Sequence, residues 1–178
     1  MGISKKLKAQ LMVNSRVGIV DCVPLLYILI GKYCTAYNID EKRIRSIADV
    51  PFTIERAKLL AQALPKSKLV TPHILAEFSN WAKNKVGEQN LAKFLMTIKT
   101  DLEKIEEKPK AKEDLLMEEQ FYKYGLTDIG ILKVAQENNC LIFTSDRPLK
   151  NQYESLGGQA EHILDLFERF KNMGLLKE

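Results

Sequence analysis

Short apolar runs of strand type alternate with segments of helical periodicity along most of the chain. A β-branched run, residues 16–20, precedes Asp21, and a second apolar run, residues 140–143, precedes Thr144. Runs of this kind, bounded by polar residues, are typical of buried strands. Residues 68–70 and 159–164 are further strand candidates, and helical patterns fill the intervals. The alternation predicts an α/β fold of three layers, α/β/α, with a short, mostly parallel central sheet and helices on both faces.

Two threonines mark helix beginnings in the first half of the chain. Thr53 precedes a helical pattern over residues 54–64, and Thr71 precedes Pro72 and a pattern over residues 73–85. A threonine hydroxyl accepts hydrogen bonds from the free N–H groups of a first turn, and proline has no N–H that would be left unpaired there. We therefore expect both threonines to be helix caps.

The second half of the chain contains two further predicted helices. Thr127 is predicted to cap a helix that begins at Asp128, and the asparagines at 138–139 are expected to end it, because asparagine tolerates left-handed backbone. Asp165 is expected to cap a final amphipathic helix over about residues 165–174.

An almost wholly apolar segment, residues 22–30, predicts a buried helix that begins at Pro24. Residues 31–50 show no clear pattern apart from a short helix candidate over 41–48. This part of the chain is the least predictable from its sequence.

Charged residues are dense across residues 91–124. Apolar spacing predicts a helix over 91–107 and a second arm over 113–124, which together suggest a solvated helical hairpin. No repeat or low-complexity linker divides the chain, so we expect one domain over residues 1–178.

Composition narrows the possible environments and partners. The chain has 178 residues, of which 46% are hydrophobic, and this is enough for one sizeable core. The net charge of +4 is compatible with a polyanionic partner. We expect no membrane span, and the N-terminal segment 1–13 lacks the long apolar run of a signal peptide. Three cysteines without a CxxC pair favour free thiols and a cytoplasmic location.

Four acids stand at positions where α/β proteins place chemistry. Asp21 and Asp146 follow predicted strands, and Glu77 and Asp128 lie early in helices that begin at the same edge of the sheet. Carboxylates that converge repel one another unless cations lie among them. Mg²⁺ and Mn²⁺ prefer such oxygen ligands. We therefore predict a site for one of these ions at the four acids.

Each acid also has a structural explanation. Asp21 could be an ordinary acid at a strand end, and Glu77 could be held in a salt bridge. Asp128 would be favoured on a first helical turn by the helix dipole, and Asp146 would suit a turn beside Pro148. The order and spacing of all four acids are what favour a site.

Three segments together resemble the PIN-domain ribonucleases, a family of metal-dependent nucleases that includes the VapC-type toxins: VGIVD–CVPLL, TPHILAE and GLTDIGILKVAQENNCLIFTSD. In that family an acid ends the first strand, a glutamate lies in a later helix, an acid begins another helix, and T-x-D ends the next strand. The resemblance places metal-binding and catalytic roles on Asp21, Glu77, Asp128 and Asp146. Thr144 matches the hydroxyl residue of the T-x-D motif and is included among the catalytic candidates.

The chain departs from the family pattern in two respects. Cys22 and Val23 follow the first acid, where the family often has Thr or Ser and then Asn. The chain is also longer than the compact toxins, with additional residues around 33–52 and 106–113.

The resemblance implies a Mg²⁺- or Mn²⁺-dependent endoribonuclease that hydrolyses phosphodiester bonds of single-stranded or loop RNA. It also implies a small antitoxin-type protein partner if the chain is a toxin, and a homodimer. Basic residues must attract the RNA to an acidic site, and five candidates are Lys83, Lys85, Lys123, Arg147 and Lys150.

Other activities remain open or are disfavoured. A toxin and an RNA-processing or defence nuclease agree nearly equally well with the residues. A structure-specific DNA nuclease is a third possibility, since folds related to the PIN domain act on DNA. A PIN-fold module that binds RNA with weak or no hydrolysis is a further alternative, and Cys22 is its best support. Haloacid dehalogenase phosphatases need a second aspartate where Val23 stands, and the chain has neither a P-loop nor a GxGxxG motif.

Overall fold

A sheet of five parallel strands forms the centre of the computed structural model, which describes residues 17–44 and 46–176. The strands of this sheet are β1 (Val17–Val20), β4 (Ser67–Val70), β5 (Glu106–Glu107), β6 (Leu141–Thr144) and β7 (Ala160–His162). A separate antiparallel hairpin joins β2 (Ser46–Ile47) and β3 (Val50–Pro51). The N-terminal segment 1–13 and Arg16, the first residue of the first predicted strand, lie outside the described residues.

The order of strands in the sheet is β5-β4-β1-β6-β7. Val17 of β1 lies opposite Ser67 of β4, and Gly18 lies opposite Leu141 of β6. From β1 the chain builds β4 and β5 on one side and then returns to the other side for β6 and β7. Such a reversal opens a crevice at the carboxyl ends of the central strands. The carboxyl ends of β1 and β6 are therefore the expected place for a site.

Eight helices flank the sheet in the described part of the chain: α1 (Cys22–Ala36), α2 (Ile54–Ala63), α3 (Pro72–Val86), α4 (Glu88–Leu102), α5 (Lys112–Leu116), α6 (Phe121–Glu137), α7 (Arg147–Ser155) and α8 (Ile163–Asn172). Helix α1 packs with α2, α3 and α4, whereas α6 packs with α5 and α7 and against β1. The predicted α/β/α fold with a parallel sheet is thus confirmed. None of the described helices is both long and apolar enough to cross a membrane.

Helix α1 is buried on most of its surface, and this explains its almost wholly apolar sequence. A Cβ added at Gly31 would lie 2.3 Å from Ala57 Cβ, so glycine permits α1 and α2 to pack closely. Cys22, Cys34 and Cys140 are free thiols, as predicted, and all three are buried.

Both predicted threonine caps of the first half are confirmed. Thr53 Oγ1 accepts a hydrogen bond from the N–H of Arg56 at 3.1 Å, and Thr71 Oγ1 accepts one from Ile74 at 3.3 Å. The predicted end of α6 is also confirmed, because Asn139 has a φ of 44° in the left-handed region.

The predicted beginnings of three helices are wrong, and the short helix predicted over residues 41–48 is a single 3-10 turn over Glu41–Arg43. Helix α1 begins at Cys22 rather than Pro24, because Asp21 caps it. Thr127 lies inside α6, which is interrupted at Gly125 and continues after it, so Thr127 is not a cap. The last helix is capped by His162 rather than Asp165, since the His162 ring accepts from the N–H two residues later.

Residues 91–124 do not form the predicted pair of helical arms. Helix α4 ends at Leu102, and Glu106–Glu107 form the edge strand β5 beside β4, opposite Leu69 and Val70. Helix α5 packs on α6, and α4 packs on α1 and α3. Pairing with a neighbouring strand outweighed the helical propensity of two glutamates, and exposed charges suit a sheet edge.

Candidate active site

Asp21 follows β1 directly, and its carboxylate is held at both oxygens. Its backbone N–H donates to the carbonyl of Phe143 at 2.9 Å, which extends the pairing of β1 with β6. Oδ1 accepts from the N–H of Cys22 at 2.6 Å, and Oδ2 accepts from Thr144 Oγ1 at 2.6 Å. The carboxylate therefore has a fixed orientation at the sheet edge.

Thr144 joins the two strand ends. It is the last residue of β6 and is fully buried. Its hydroxyl donates to Asp21 and accepts from the backbone N–H of Asp146 at 2.9 Å. One buried hydroxyl thus fixes the first acid and the loop that carries the last acid.

Asp146 caps α7, a helix that the sequence analysis did not predict. Its Oδ1 accepts from the N–H of Leu149 at 2.8 Å, and Pro148 lies in the first turn. The same carboxylate that begins this helix lies at the edge where β6 ends.

His162 supports the loop between Thr144 and Asp146, and the sequence analysis did not identify it. Its Nδ1 accepts from the N–H of Leu164 at 3.2 Å, so the ring proton lies on Nε2, which donates to the Ser145 carbonyl at 2.7 Å. The ring is almost fully buried, and burial is the main reason that its pKa lies below the usual value. The only sequence signal was a histidine within the predicted strand 159–164.

Glu77 and Asp128 reach the same region from two helices but are not held there. Glu77 lies on α3, and Asp128 lies on the first turn of α6 after the interruption at Gly125. Neither carboxylate forms a hydrogen bond or ion pair with another described residue. The site therefore combines two anchored carboxylates, Asp21 and Asp146, with two unanchored ones.

Electrostatic coupling links Asp128 to the other three acids. The pKa of Asp128 is raised to about 7, first by burial and then by the charges of Asp21, Asp146 and Glu77. The pKa of Glu77 is raised by burial and by Asp21. Burial also raises the pKa of Asp21, and the charge of Asp146 adds to this, although the hydrogen bonds from Thr144 and Cys22 oppose it. The sheet edge thus concentrates negative charge.

The four acids do not form a metal-binding cluster in this conformation. Within residues 17–44 and 46–176, no group of three or more His, Cys, Asp or Glu side chains is arranged so that it could hold a metal ion. Ligation by all four acids would require movement of the unanchored side chains of Glu77 and Asp128.

Cys22 lies beside this charge but remains a thiol. Its side chain is buried, and its pKa is strongly raised by burial and then by Glu77 and Asp21. A neutral thiol is a poor ligand for a hard cation. Cys22 therefore places a neutral thiol, rather than an oxygen ligand, beside the carboxylates.

The five basic candidates all have partners within the protein. Arg147 forms a two-bond ion pair with Asp165, and Lys150 pairs with Glu154. Lys83 pairs with a glutamate, and Lys85 and Lys123 lie over the aromatic rings of Trp81 and Tyr124. Arg147 and Lys150 are nearest to the site in the chain, because both are in the first turn of the helix that Asp146 caps.

No family model and no curated protein matches the chain. Among solved structures, it is similar to one described as a domain of a functionally unknown protein from Methanocaldococcus jannaschii DSM 2661. The two are 16% identical over 82% of this chain and 89% of that chain, with a TM-score of 0.39. A likeness at this TM-score supports neither a family nor an activity.

Proposed function

We propose that the protein is a metal-dependent endoribonuclease that hydrolyses phosphodiester bonds at the edge formed by Asp21, Glu77, Asp128 and Asp146. The observation that carries the proposal is the pKa of Asp128, raised to about 7 by burial and by the other three acids. A fold that gathers four carboxylates at its switch point sustains a repulsion that a divalent cation would relieve.

The donor set suits Mg²⁺ or Mn²⁺, since both ions prefer carboxylate and hydroxyl oxygens. Asp21 and Asp146 would be the preformed ligands, because hydrogen bonds already fix them. Glu77 and Asp128 would turn toward the ion, and Asp128 would lose its proton when it binds. A bound ion would activate a water molecule and neutralise charge on the phosphate.

The remaining residues would orient the ligands and the substrate. Thr144 holds Asp21, and His162 holds the carbonyl of Ser145 between Thr144 and Asp146. Arg147 and Lys150 would exchange their internal carboxylate partners for RNA phosphates. Contacts of this type carry affinity without sequence preference, so we expect cleavage of varied single-stranded or loop RNA.

The biological role of such a nuclease is suggested only by the sequence resemblance to the PIN-domain ribonucleases. A cytoplasmic toxin with a small antitoxin-type partner, a homodimer, and an RNA-processing or defence nuclease are each compatible with the same site.

A second candidate is a module of this fold that binds RNA with weak or no hydrolysis. The buried, neutral Cys22 thiol favours it, because an oxygen ligand is missing at that position. Both candidates predict RNA binding, and only the first predicts efficient RNA cleavage.

Cleavage of labelled single-stranded RNAs and DNAs in Mg²⁺, Mn²⁺ or EDTA tests the proposal. Asp21→Asn and Asp146→Asn preserve shape and are expected to remove metal-dependent RNA cleavage. Glu103→Gln, a change at an exposed acid paired with Lys99, is the matched control and should cut as the wild type does.

Three outcomes would contradict the ribonuclease. Equal cutting by wild type and both aspartate variants would indicate a contaminant. Cleavage of DNA but not RNA would indicate a DNA nuclease. No cleavage, together with RNA binding, would favour the binding module.

A further inference from the structure

A groove of about 580 Å³ lies between α1, α2 and the end of α4. None of the four site carboxylates lines it. Its lining reaches Lys66 and Lys68 at the amino end of β4, which is the opposite end of the sheet from Asp21. Small-molecule sites are commonly clefts of about 300–1,000 Å³. The size of the groove therefore suits a small ligand.

Aliphatic side chains form one wall of this groove. Six of them come from α1, α2 and the turn that follows α2: Leu25, Ile28, Leu29, Ala57, Ala61 and Leu64. Close packing at Gly31 brings α1 and α2 together and makes the wall continuous. A wall of this composition favours an apolar ligand group over a purely polar one.

Five lysines also line the groove, with one acid among them, Asp101. Lys32 pairs with this acid. The other four lysines form no salt bridge with another described residue: Lys58, Lys66, Lys68 and Lys104. A single unpaired surface lysine is ordinary, but four around one apolar groove form a strongly cationic edge. Lys68 is partly buried, and burial lowers its pKa although the charge of Asp101 raises it, so a bound anion would further stabilise its charged form.

We propose that this groove, which we call the lysine-edged groove, binds a small anionic amphiphile such as an alkyl carboxylate or alkyl phosphate. The alkyl chain would lie on the aliphatic wall, and the head group would lie among Lys66, Lys68 and Lys104. This site is separate from the carboxylate edge and does not depend on the proposed nuclease activity.

The two parts of the groove select this occupant over larger ones. A polynucleotide would use the lysines but would leave the aliphatic wall exposed to water. An acidic amphipathic helix would bury several turns along a long surface, whereas this groove has the volume of a small-molecule site. An amphiphile uses both the charge and the apolar wall.

Titration calorimetry on the full chain, below the micelle concentration of each probe, tests the proposal. Decanoate and decyl phosphate are expected to bind one per chain, and their relative affinities show which head group is preferred. Inorganic phosphate and decyltrimethylammonium, which lack the alkyl chain and the negative charge respectively, are expected not to bind.

Variants locate the binding. Lys66→Glu combined with Lys104→Glu should weaken binding of both anions by about tenfold or more, because attraction becomes repulsion. Lys99→Glu combined with Lys112→Glu changes exposed lysines outside the groove and should leave binding unchanged. Ala61→Trp, at an exposed position on the wall, should block the alkyl chain.

Four results would overturn the proposal. Two concern the probes: decyltrimethylammonium binds as tightly as the anionic probes, or many probe molecules bind per chain. Two concern the variants: both double-lysine variants lose the same affinity, or Ala61→Trp binds the probes as the wild type does. Lysine-dependent binding of single-stranded RNA or an acidic peptide without binding of either amphiphile would also overturn it and would assign the groove to that partner. Thermal melting of each variant confirms that the chain is folded.

Discussion

The hydroxyl of Thr144 donates to Asp21 Oδ2 at 2.6 Å and thereby joins residues that are 123 positions apart in the chain. The same oxygen accepts from the N–H of Asp146. The geometry of both strand-end acids therefore depends on one buried side chain.

Thr144→Val should lower RNA cleavage at least about tenfold and reduce the free energy of unfolding by roughly 1–3 kcal/mol, because the partly buried Asp146 N–H and the Asp21 carboxylate lose their partner. Thr144→Ser keeps the hydroxyl and should retain most of the activity. Cleavage rates and urea unfolding of both variants test this. Equal activity of the valine and serine variants would exclude a positioning role for the hydroxyl.

Asp128→Asn should stabilise the metal-free protein at neutral and higher pH. The pKa of Asp128 is about 7 in the folded protein against an ordinary value of 3.8, so the folded state binds the proton more readily than the unfolded chain. The charged carboxylate therefore costs stability above the folded pKa, and this cost disappears as the pH falls toward the unfolded value. The gain in the variant should be on the order of 1 kcal/mol, since solvent screens a partly exposed group.

Urea unfolding in EDTA near pH 8 and near pH 5 measures this difference. The stabilisation by Asp128→Asn should be present at the higher pH and much smaller at the lower pH. Added Mn²⁺ should raise the melting temperature of the wild type more than that of the variant. A variant that is less stable than the wild type at the higher pH would contradict coupling among the acids.

His162→Phe should destabilise the fold by roughly 1–3 kcal/mol, because the Ser145 carbonyl and the Leu164 N–H lose a buried partner. It should also lower kcat more than it raises KM, since the loop between Thr144 and Asp146 loses its support. His162→Gln can replace one of these bonds and should recover part of both properties. Kinetics unchanged in the phenylalanine variant would show that the ring only fills space.

Gly125→Ala should be destabilising by roughly 1–3 kcal/mol, because a φ of 76° with a ψ of 178° is nearly restricted to glycine. The change should also reduce cleavage, since the interruption at Gly125 places Asp128 on a first turn. Gly130→Ala, in the same helix, is the control: its added Cβ would approach no atom closer than 3.8 Å. The control should be neutral or slightly stabilising by helix propensity, and a similar loss in both variants would argue against the special role of Gly125.

Local chemistry made much of the fold predictable. Thr53 and Thr71 cap helices through hydrogen bonds to residues three positions away, so nearby sequence contains all the partners. The strands β1 and β6 are nearly or fully buried, and their apolar sequences made them recognisable as buried strands. The order of Asp21, Glu77, Asp128 and Asp146 along the chain, combined with the rule for parallel sheets, was enough to predict that they share one edge.

Contacts between distant segments determined the features that local sequence could not predict. Glu106 and Glu107 form a strand only because β4 offers an edge to pair with, and His162 replaced Asp165 as a cap because its buried ring also holds the Ser145 carbonyl. The bond from Thr144 to Asp21 depends on the register of β6 against β1, and the raised pKa of Asp128 depends on the burial and packing of α6 beside the sheet. Sequence by itself determined the strands β1, β4 and β6, the helices capped by Thr53 and Thr71, and the acids that follow β1 and β6, since these features depend on neighbours within a few residues. Which carboxylates are anchored and which are free was decided by contacts between distant segments, whose geometry exists only in the folded chain.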